Sequence, residues 1–359
     1  MNTISYFVFG DKREYQLELT FSVLSAVRYL RSQPADIRIV LITESGKTRP
    51  DLPIEHVHFS QDEFRAWSKD GKNVHRVKEF ALLKVLDTYG GSVAHVDPDT
   101  YFIAHPSRVF ERISTTRSVM HEDEGPIAAD PVWKPMLDTG VREVNGYLVS
   151  PHTRMFNSGV IGIHYDNRAL LHDAVDLEDK LYSIAPVFSV EQFATGSVLD
   201  KHTRLVGCND VIEHYWGARR PFIHLQCARL FPEFSKESFE RLAAQEELPY
   251  VGYPRISLLN KLGARLQLGS RARNKDYWFA NISYREALDC AANDPTLANA
   301  WAQVAYDCLR HLRDYDSGTW RNFGERMPAD FPGFYGGHAA RQRWLSGDLQ
   351  RKWLDLMPS

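Results

Sequence analysis

Along the first hundred positions of the chain, continuous apolar runs typical of buried strands alternate with segments in which apolar residues recur at helical spacing. Apolar runs at residues 5–9, 37–42 and 92–96 predict buried strands, because few polar residues interrupt them. Between these runs, apolar residues recur at helical spacing over residues 17–30 and 76–89. Strands and helices in alternation imply right-handed crossovers and a mostly parallel sheet flanked by helices, so the predicted fold class is α/β.

The pattern changes in the second half of the chain. Residues 120–151 are rich in proline and charge, and are interpreted as a long functional loop or small subdomain over the site. Residues 155–164 predict one further buried strand. The later sequence is mainly helical. The chain therefore predicts a domain over residues 1–230 and a helical C-terminal region over 231–359 packed on it.

Composition and charge exclude several classes of protein. Hydrophobic residues make up 43% and charged residues 25%, as in ordinary globular proteins. A net charge of -3 gives no reason to expect a nucleic-acid partner. No segment has the roughly 20 apolar residues needed to cross a bilayer, and the first residues lack the features of a signal peptide. Four scattered cysteines favour free thiols, and the protein is predicted to be cytoplasmic.

Two aspartates, Asp97 and Asp99, follow directly on the strand predicted at residues 92–96. Strand alternation directs both carboxylates to one side of the sheet's end, and Pro98 stiffens the backbone between them. Close carboxylates repel one another, and a hard divalent cation such as Mg²⁺ or Mn²⁺ relieves that repulsion. The alternative is a solvated turn. A second pair, in residues 314–316, is interpreted as such a turn.

The stretch VAHVDPDTYF resembles the DxD segment of GT-A nucleotide-sugar glycosyltransferases, where an apolar strand runs into D-x-D. Three other segments occur in the family's order: the first strand and helix, then MFNSGVIGIH, then EHYWG. They are similar to elements of glycogenin-like and bacterial lipooligosaccharide-type transferases. The resemblance covers roughly residues 1–225. It implies a GT-A (Rossmann-like) fold and transfer of a sugar from a nucleotide sugar, by default UDP-linked, to a glycan, lipid-linked or protein acceptor.

The resemblance also implies a ligand set for the metal. His214 would be the third ligand beside Asp97 and Asp99, and a neutral imidazole suits Mn²⁺. A histidine stacked among aromatic residues is the alternative. Further nucleotide-sugar contacts follow by analogy of position: Phe9, Gly10, Tyr15, Thr43 and Glu44 for the base and ribose, Arg76 and Lys78 from the helix before the acidic pair, and Gly217 for the diphosphate.

Polar residues Asn157, Ser158 and Gly159 interrupt the apolar run at residues 155–164. Buried polar groups need partners, and sugar hydroxyls of a donor would supply them. The alternative is a bulge in which Gly159 relieves crowding.

Glu191 and Gln192 stand where the family has an Asp-Gln pair. A glutamine beneath the anomeric carbon is not a strong nucleophile, which favours transfer with retention of configuration. An inverting enzyme would need a carboxylate base for the acceptor. The candidates for that base are Asp130, Glu122, Asp123 and Glu191 itself.

Two other functions stay open for this sequence. A sugar-nucleotide nucleotidyltransferase would carry a glycine-rich basic loop after the first strand, and a non-catalytic sugar-binding protein would lack metal ligands. Residues 258–275 combine leucines with basic residues. This segment predicts either peripheral contact with an anionic membrane or a charged helix packed on the first domain.

Overall fold

A computed structural model of the chain describes residues 1–245, 247, 252–324, 326–334, 339 and 342–356. The chain forms two compact units. The first contains Met1–Tyr215 and Phe231–Leu248, and the second contains Trp216–Leu230 and Pro249–Ser359. The sequence predicts a division at residue 230. In the structure, Trp216–Leu230 belong to the second unit and Phe231–Leu248 belong to the first. The packing of the helical region on the first domain stays a prediction.

Among the described residues, the strands all belong to the first unit. In chain order they are β1 Asn2–Phe7, β2 Ile37–Glu44, β3 Glu55–Phe59, β4 Ser92–Val96, β5 Thr100–Phe102, β6 Arg117–Met120, β7 Asp123–Pro126, β8 Glu143–Val144, β9 Tyr147–Leu148, β10 Arg154–Phe156, β11 Val160–His164, β12 Arg204–Val206 and β13 Ile212–His214. The helices are α1 Arg13–Ser32, α2 Gln61–Trp67, α3 Val77–Tyr89, α4 Ser107–Phe110, α5 Lys134–Asp138, α6 Ala169–Ile184, α7 Val190–His202, α8 Arg220–Leu230, α9 Lys236–Ala243, α10 Leu258–Leu268, α11 Lys275–Cys290, α12 Pro295–Tyr315, α13 Ser317–Gly324, α14 Met327–Asp330 and α15 Gly347–Leu356.

A seven-stranded sheet forms the centre of the first unit, in the order β12-β6-β11-β4-β1-β2-β3. β1 pairs in parallel with β2 and β4, and β2 pairs in parallel with β3, whereas β11 runs antiparallel to β4 and β6. The mostly parallel α/β sheet is therefore confirmed. The carboxyl ends of β1, β2 and β4 meet at one edge of the sheet, so Gly10, Thr43 and Asp97 lie along that edge.

The prediction of a single strand over residues 155–164 is wrong. β10 pairs with β7 in a separate two-stranded sheet, while β11 joins the central sheet. The chain crosses from one sheet to the other at residues 157–159, which explains why polar residues interrupt the apolar run. Because β11 is antiparallel to β4, its first residue Val160 lies opposite Val96, and the polar residues adjoin the acidic pair.

Residues 120–151 form a small subdomain rather than an open loop. Its apolar side chains, among them Trp133, Met136 and Val149, are buried together with residues of α6 and α7. Helix α6 has buried apolar residues at helical spacing, at Leu171, Ala174, Leu177 and Leu181, although it is not among the elements predicted above.

The second unit is helical, as predicted, and is organised around α11 and α12. Residues 294–295 mark the start of α12: the Asp294 side chain accepts the Leu297 N–H at 3.0 Å, and Pro295 is the first residue of the helix. Trp301, Phe331 and Trp353 are fully buried in its core. In the described part of the chain, no helix is both long and apolar enough to span a membrane. The four cysteines are free.

Candidate metal and donor site

Three potential metal ligands converge beyond the carboxyl end of β4. One ligand atom each of Asp97, Asp99 and His214 lies within 4.8 Å of the others. The two aspartates follow β4 directly, and β13 pairs antiparallel with β5 so that His214 lies opposite Thr100. The Tyr215 N–H donates to the Asp99 carbonyl at 3.1 Å, which extends this pairing. Two carboxylates and an imidazole in this arrangement can hold a divalent cation.

The orientation of the His214 ring is fixed by Asn157. The amide oxygen of Asn157 accepts the Gly159 N–H at 2.9 Å, and its amide nitrogen donates to Glu124 at 2.8 Å, so the direction of the amide is determined. His214 Nδ1, 2.9 Å from that same oxygen, must then be the donor. Nε2 consequently faces Asp99 Oδ1 at 3.3 Å. An outer carbonyl that orients a histidine in this way is usual at metal sites.

Gly159 allows His214 to approach the polar segment closely. A Cβ at position 159 would lie 2.4 Å from His214 Nδ1 and 2.9 Å from Asn157 Oδ1. No side chain can occupy that space while His214 keeps its place. This is a specific reason for glycine here, in addition to the bulge considered from the sequence.

Lys78 forms the cationic centre of the site. Its Nζ donates to Asp97 Oδ2 at 3.0 Å and to the carbonyl and hydroxyl of Ser158 at 3.2 Å, and lies 3.9 Å from Glu191. Burial alone would lower the pKa of Lys78, but the Asp97 and Glu191 carboxylates outweigh it and the pKa is raised. Burial lowers the pKa of His95, 4.0 Å from Asp97, to about 4. Lys78 is therefore the cation beside Asp97 at neutral pH.

Glu124 is a site residue that is not among those predicted from the sequence. Its carboxylate accepts the Gln192 amide at 2.6 Å as well as the Asn157 amide. Gln192 in turn accepts the Ser158 N–H at 3.3 Å, and Ser158 donates to Glu191 at 3.3 Å. The predicted residues of α7 and of the polar segment thus form one network, and Glu124 joins them from β7. The acidic run at residues 122–124 indicates a possible site carboxylate. Only the pairing of β7 with β10 shows that Glu124 is the residue of this run that reaches the network.

The neighbours of Glu124 point elsewhere. Asp123 pairs with Arg154, and Glu122 accepts the Asn209 amide at 3.2 Å. Asp130, which was predicted as a catalytic candidate, is exposed and accepts the Val132 N–H at 3.0 Å as the cap of a short 3₁₀ turn.

Arg76 also differs in placement from the prediction. Its guanidinium donates to the carbonyls of Ala66 and Trp67 at 3.0 and 2.8 Å, and to Asp179 at 3.2 Å. These bonds tie the end of α2 to the start of α3 and to α6. Of the two basic residues predicted from this helix, Lys78 is the one in contact with the acidic pair.

The residues predicted for the base and ribose lie at or after the carboxyl ends of β1 and β2. Gly10 has φ +78° and donates its N–H to Glu44 at 3.0 Å. Phe9 is 39% exposed, whereas Thr43 is buried in β2. Tyr15 lies in the first turn of α1. Gly217, with φ +71°, belongs to the second unit.

Two further carboxyl groups are buried around Glu191. Glu178 accepts the Asn73 amide at 2.6 Å, and Glu79 accepts the Thr195 hydroxyl at 2.7 Å. Burial, reinforced by the charge of Glu191, raises the pKa of Glu178 to about 8 and raises that of Glu79 as well. Glu178 and Glu79 therefore keep their protons to a higher pH than an exposed glutamate does.

Raising the pH from 5 to 8 is expected to destabilise the protein through Glu178. Its pKa is 4.5 in the unfolded chain and about 8 in the fold, so the unfolded state binds fewer protons between these values. The free energy of unfolding consequently falls as pH rises. Glu178→Gln, which cannot titrate, should reduce the fall in Tm over this range by about 5 °C. Thermal melts at both pH values test this, with exposed Glu143→Gln as the control. Equal falls for parent and Glu178→Gln would contradict it.

Neither a protein-family model nor a curated protein matches this sequence. Two solved glycosyltransferase structures are similar to it. Mouse xyloside xylosyltransferase 1, apo form, has a TM-score of 0.41 and 11% identity, over 58% of this chain and 85% of that chain. Galactosyltransferase LgtC in complex with donor and acceptor sugar analogs has a TM-score of 0.40 and 13% identity, over 69% of this chain and 97% of that chain. At this level of likeness neither activity nor substrate follows from the comparison.

Proposed function

We propose that this protein is a metal-dependent glycosyltransferase that moves a sugar from a nucleoside-diphosphate sugar, by default UDP-linked, to a glycan, lipid-linked or protein acceptor. The observation that carries the proposal is the group of Asp97, Asp99 and His214, with the imidazole held toward Asp99 by Asn157. Carboxylate and imidazole donors fit Mn²⁺ or Mg²⁺. When bound, such an ion neutralises charge on the leaving diphosphate.

The donor sugar is proposed to lie against the network of Lys78, Ser158 and Gln192. Lys78 and Ser158 already bond to each other and to the carboxylates of Asp97 and Glu191. Such mutual bonds fix side-chain positions before the substrate arrives, so little reorganisation is needed on binding. A phosphate or sugar hydroxyl of the donor could then bond to the Lys78 ammonium, the Ser158 hydroxyl or the Gln192 amide.

We infer retention of configuration from the same network. Gln192 is an amide, and Glu191 is 6% exposed and bonded to Ser158, so neither is arranged as a base open to the acceptor. One observation supports the inverting alternative: Glu124 is an exposed carboxylate bonded to both Gln192 and Asn157. It replaces Asp130, Glu122 and Asp123 as the candidate base for that alternative.

The same residues support the two alternative functions, a nucleotidyltransferase and a non-catalytic sugar-binding protein, less well. A nucleotidyltransferase would need a glycine-rich phosphate loop after β1, but α1 begins at Arg13 and Asp11 in the connection pairs with Lys47 at 2.7 Å. A sugar-binding protein without catalysis has no need to keep three potential metal ligands together. Both arguments favour the transferase.

A donor screen tests the proposed function. Mn²⁺ together with UDP is expected to raise Tm by about 3 °C or more at a hundredfold excess over Kd, and EDTA should remove the effect. Hydrolysis of UDP- and GDP-sugars with Mn²⁺ then identifies the donor, and NMR of the first sugar released gives its anomeric configuration. If no nucleoside diphosphate raises Tm and no donor is hydrolysed, the proposal fails.

A further inference from the structure

Four leucines of α10 face solvent on one side of the helix. Leu258, Leu259, Leu262 and Leu266 are 74%, 80%, 59% and 85% exposed. At 3.6 residues per turn they fall within an arc of about 100°. We call this set the leucine face. A continuous apolar strip of this kind on a protein surface is typical of a site of interaction with another surface.

The opposite side of α10 is the one that packs within the second unit. Asn260, Ala264 and Leu268 are buried there. The Asn260 amide donates to Glu286 at 3.0 Å and to Asp289 at 2.8 Å, both in α11. These contacts fix the rotation of α10, so the leucine face is directed away from the core of the unit.

The charged residues of α10 and of the segments next to it in the sequence are all basic. Residues 252–275 contain six lysines and arginines and no aspartate or glutamate, although the whole chain has a net charge of -3. Arg265 lies beside the leucine face on the helix, and Arg273 and Lys275 follow α10, all three being exposed. Arg271 differs, because it pairs with Asp330 at 3.0 Å.

We propose that the leucine face docks the protein peripherally on a membrane surface that carries anionic lipid. Leucine side chains can enter the boundary between headgroups and acyl chains while neighbouring arginine and lysine side chains contact lipid phosphates. A protein partner or a second copy would need acidic groups around an apolar groove to match the same surface, whereas an anionic bilayer offers both properties everywhere. The inference does not depend on the proposed transferase activity.

Vesicle cosedimentation of the whole protein tests this docking. The parent is expected to sediment with phosphatidylcholine vesicles containing about a third phosphatidylglycerol, and much less with phosphatidylcholine alone. Leu259→Ser combined with Leu266→Ser should lower the apparent affinity about tenfold or more. A matched control changes two exposed leucines elsewhere, Leu148→Ser with Leu354→Ser, and should bind as the parent does.

Two results would overturn the proposal. One is equal sedimentation of the parent and the leucine-face variant. The other is a parent that dimerises, by light scattering, without binding vesicles, while the variant is monomeric; a second copy would then occupy the face. Lys261→Gln with Arg265→Gln gives an independent test, because it should weaken binding to anionic vesicles and leave the leucines unchanged. Asp99→Asn should keep full vesicle binding, which separates this proposal from the transferase activity.

Discussion

Asp99→Asn is expected to lower kcat/KM for Mn²⁺-dependent hydrolysis of the donor by about a hundredfold or more. Asparagine matches aspartate in size but removes the negative charge that faces His214 Nε2 at 3.3 Å. The backbone bond from Tyr215 to the carbonyl of residue 99 does not involve the side chain, so the local pairing of β5 and β13 is kept. Steady-state kinetics over a range of Mn²⁺ concentrations measure the effect.

The chain supplies its own control in a second D-x-D segment. Asp314 pairs with Arg313 at 2.9 Å, and Asp316 accepts the Thr319 N–H at 3.0 Å at the start of α13, so this pair has the structural role expected from the sequence. Asp314→Asn should leave hydrolysis unchanged. If Asp99→Asn hydrolyses the donor as fast as the parent, Asp99 has no part in metal-dependent chemistry.

Gly159→Ala is expected to weaken Mn²⁺ binding about tenfold or more through His214. The added Cβ would lie 2.4 Å from His214 Nδ1 and 2.6 Å from its Cε1, so the ring must move. That movement breaks its bond to Asn157 and turns Nε2 away from Asp99. Titration of Mn²⁺ followed by electron paramagnetic resonance gives the affinity directly, without reference to any donor sugar.

Gly162→Ala is the matched control for that variant, because it crowds β11, the strand that follows Gly159, and does not contact the ligands. Its Cβ would lie 2.8 Å from Ile113 Cδ1 and 2.9 Å from Val119 Cβ. Overpacking of this kind costs about 1–3 kcal/mol, so Tm should fall while Mn²⁺ affinity stays that of the parent. Equal loss of Mn²⁺ affinity in both variants would show a general effect of destabilisation and contradict the specific role of Gly159.

The sequence predicted the parts of this site that local pattern determines. β4 has the predicted bounds, residues 92–96, and the acidic pair follows it at the sheet edge. Pairings between distant segments could not be predicted in the same way. Glu124 enters the site only because β7 pairs with β10, with an irregular register next to Phe156. The adjacent carboxylates have the same chemistry, so no rule of composition or spacing separates Glu124 from them.

The same limit applies to the choice between Arg76 and Lys78. Two residues apart at the start of a helix, they point in nearly opposite directions, and tertiary packing decides which one faces the sheet.

Similarly, residues 258–275 have an amphipathic pattern, but the bonds from Asn260 to α11 determine that the leucines are outside. Local periodicity identifies a helix with an apolar side, and only its neighbours show whether that side is buried.

Anomalous diffraction from crystals grown with Mn²⁺ and UDP tests the central claim most directly. The expected result is a manganese peak at coordination distance from the carboxylates of Asp97 and Asp99 and from Nε2 of His214, with diphosphate oxygens on the same ion. A structure with UDP bound but no manganese at these three residues, or with manganese held elsewhere, would contradict the assignment of the metal site.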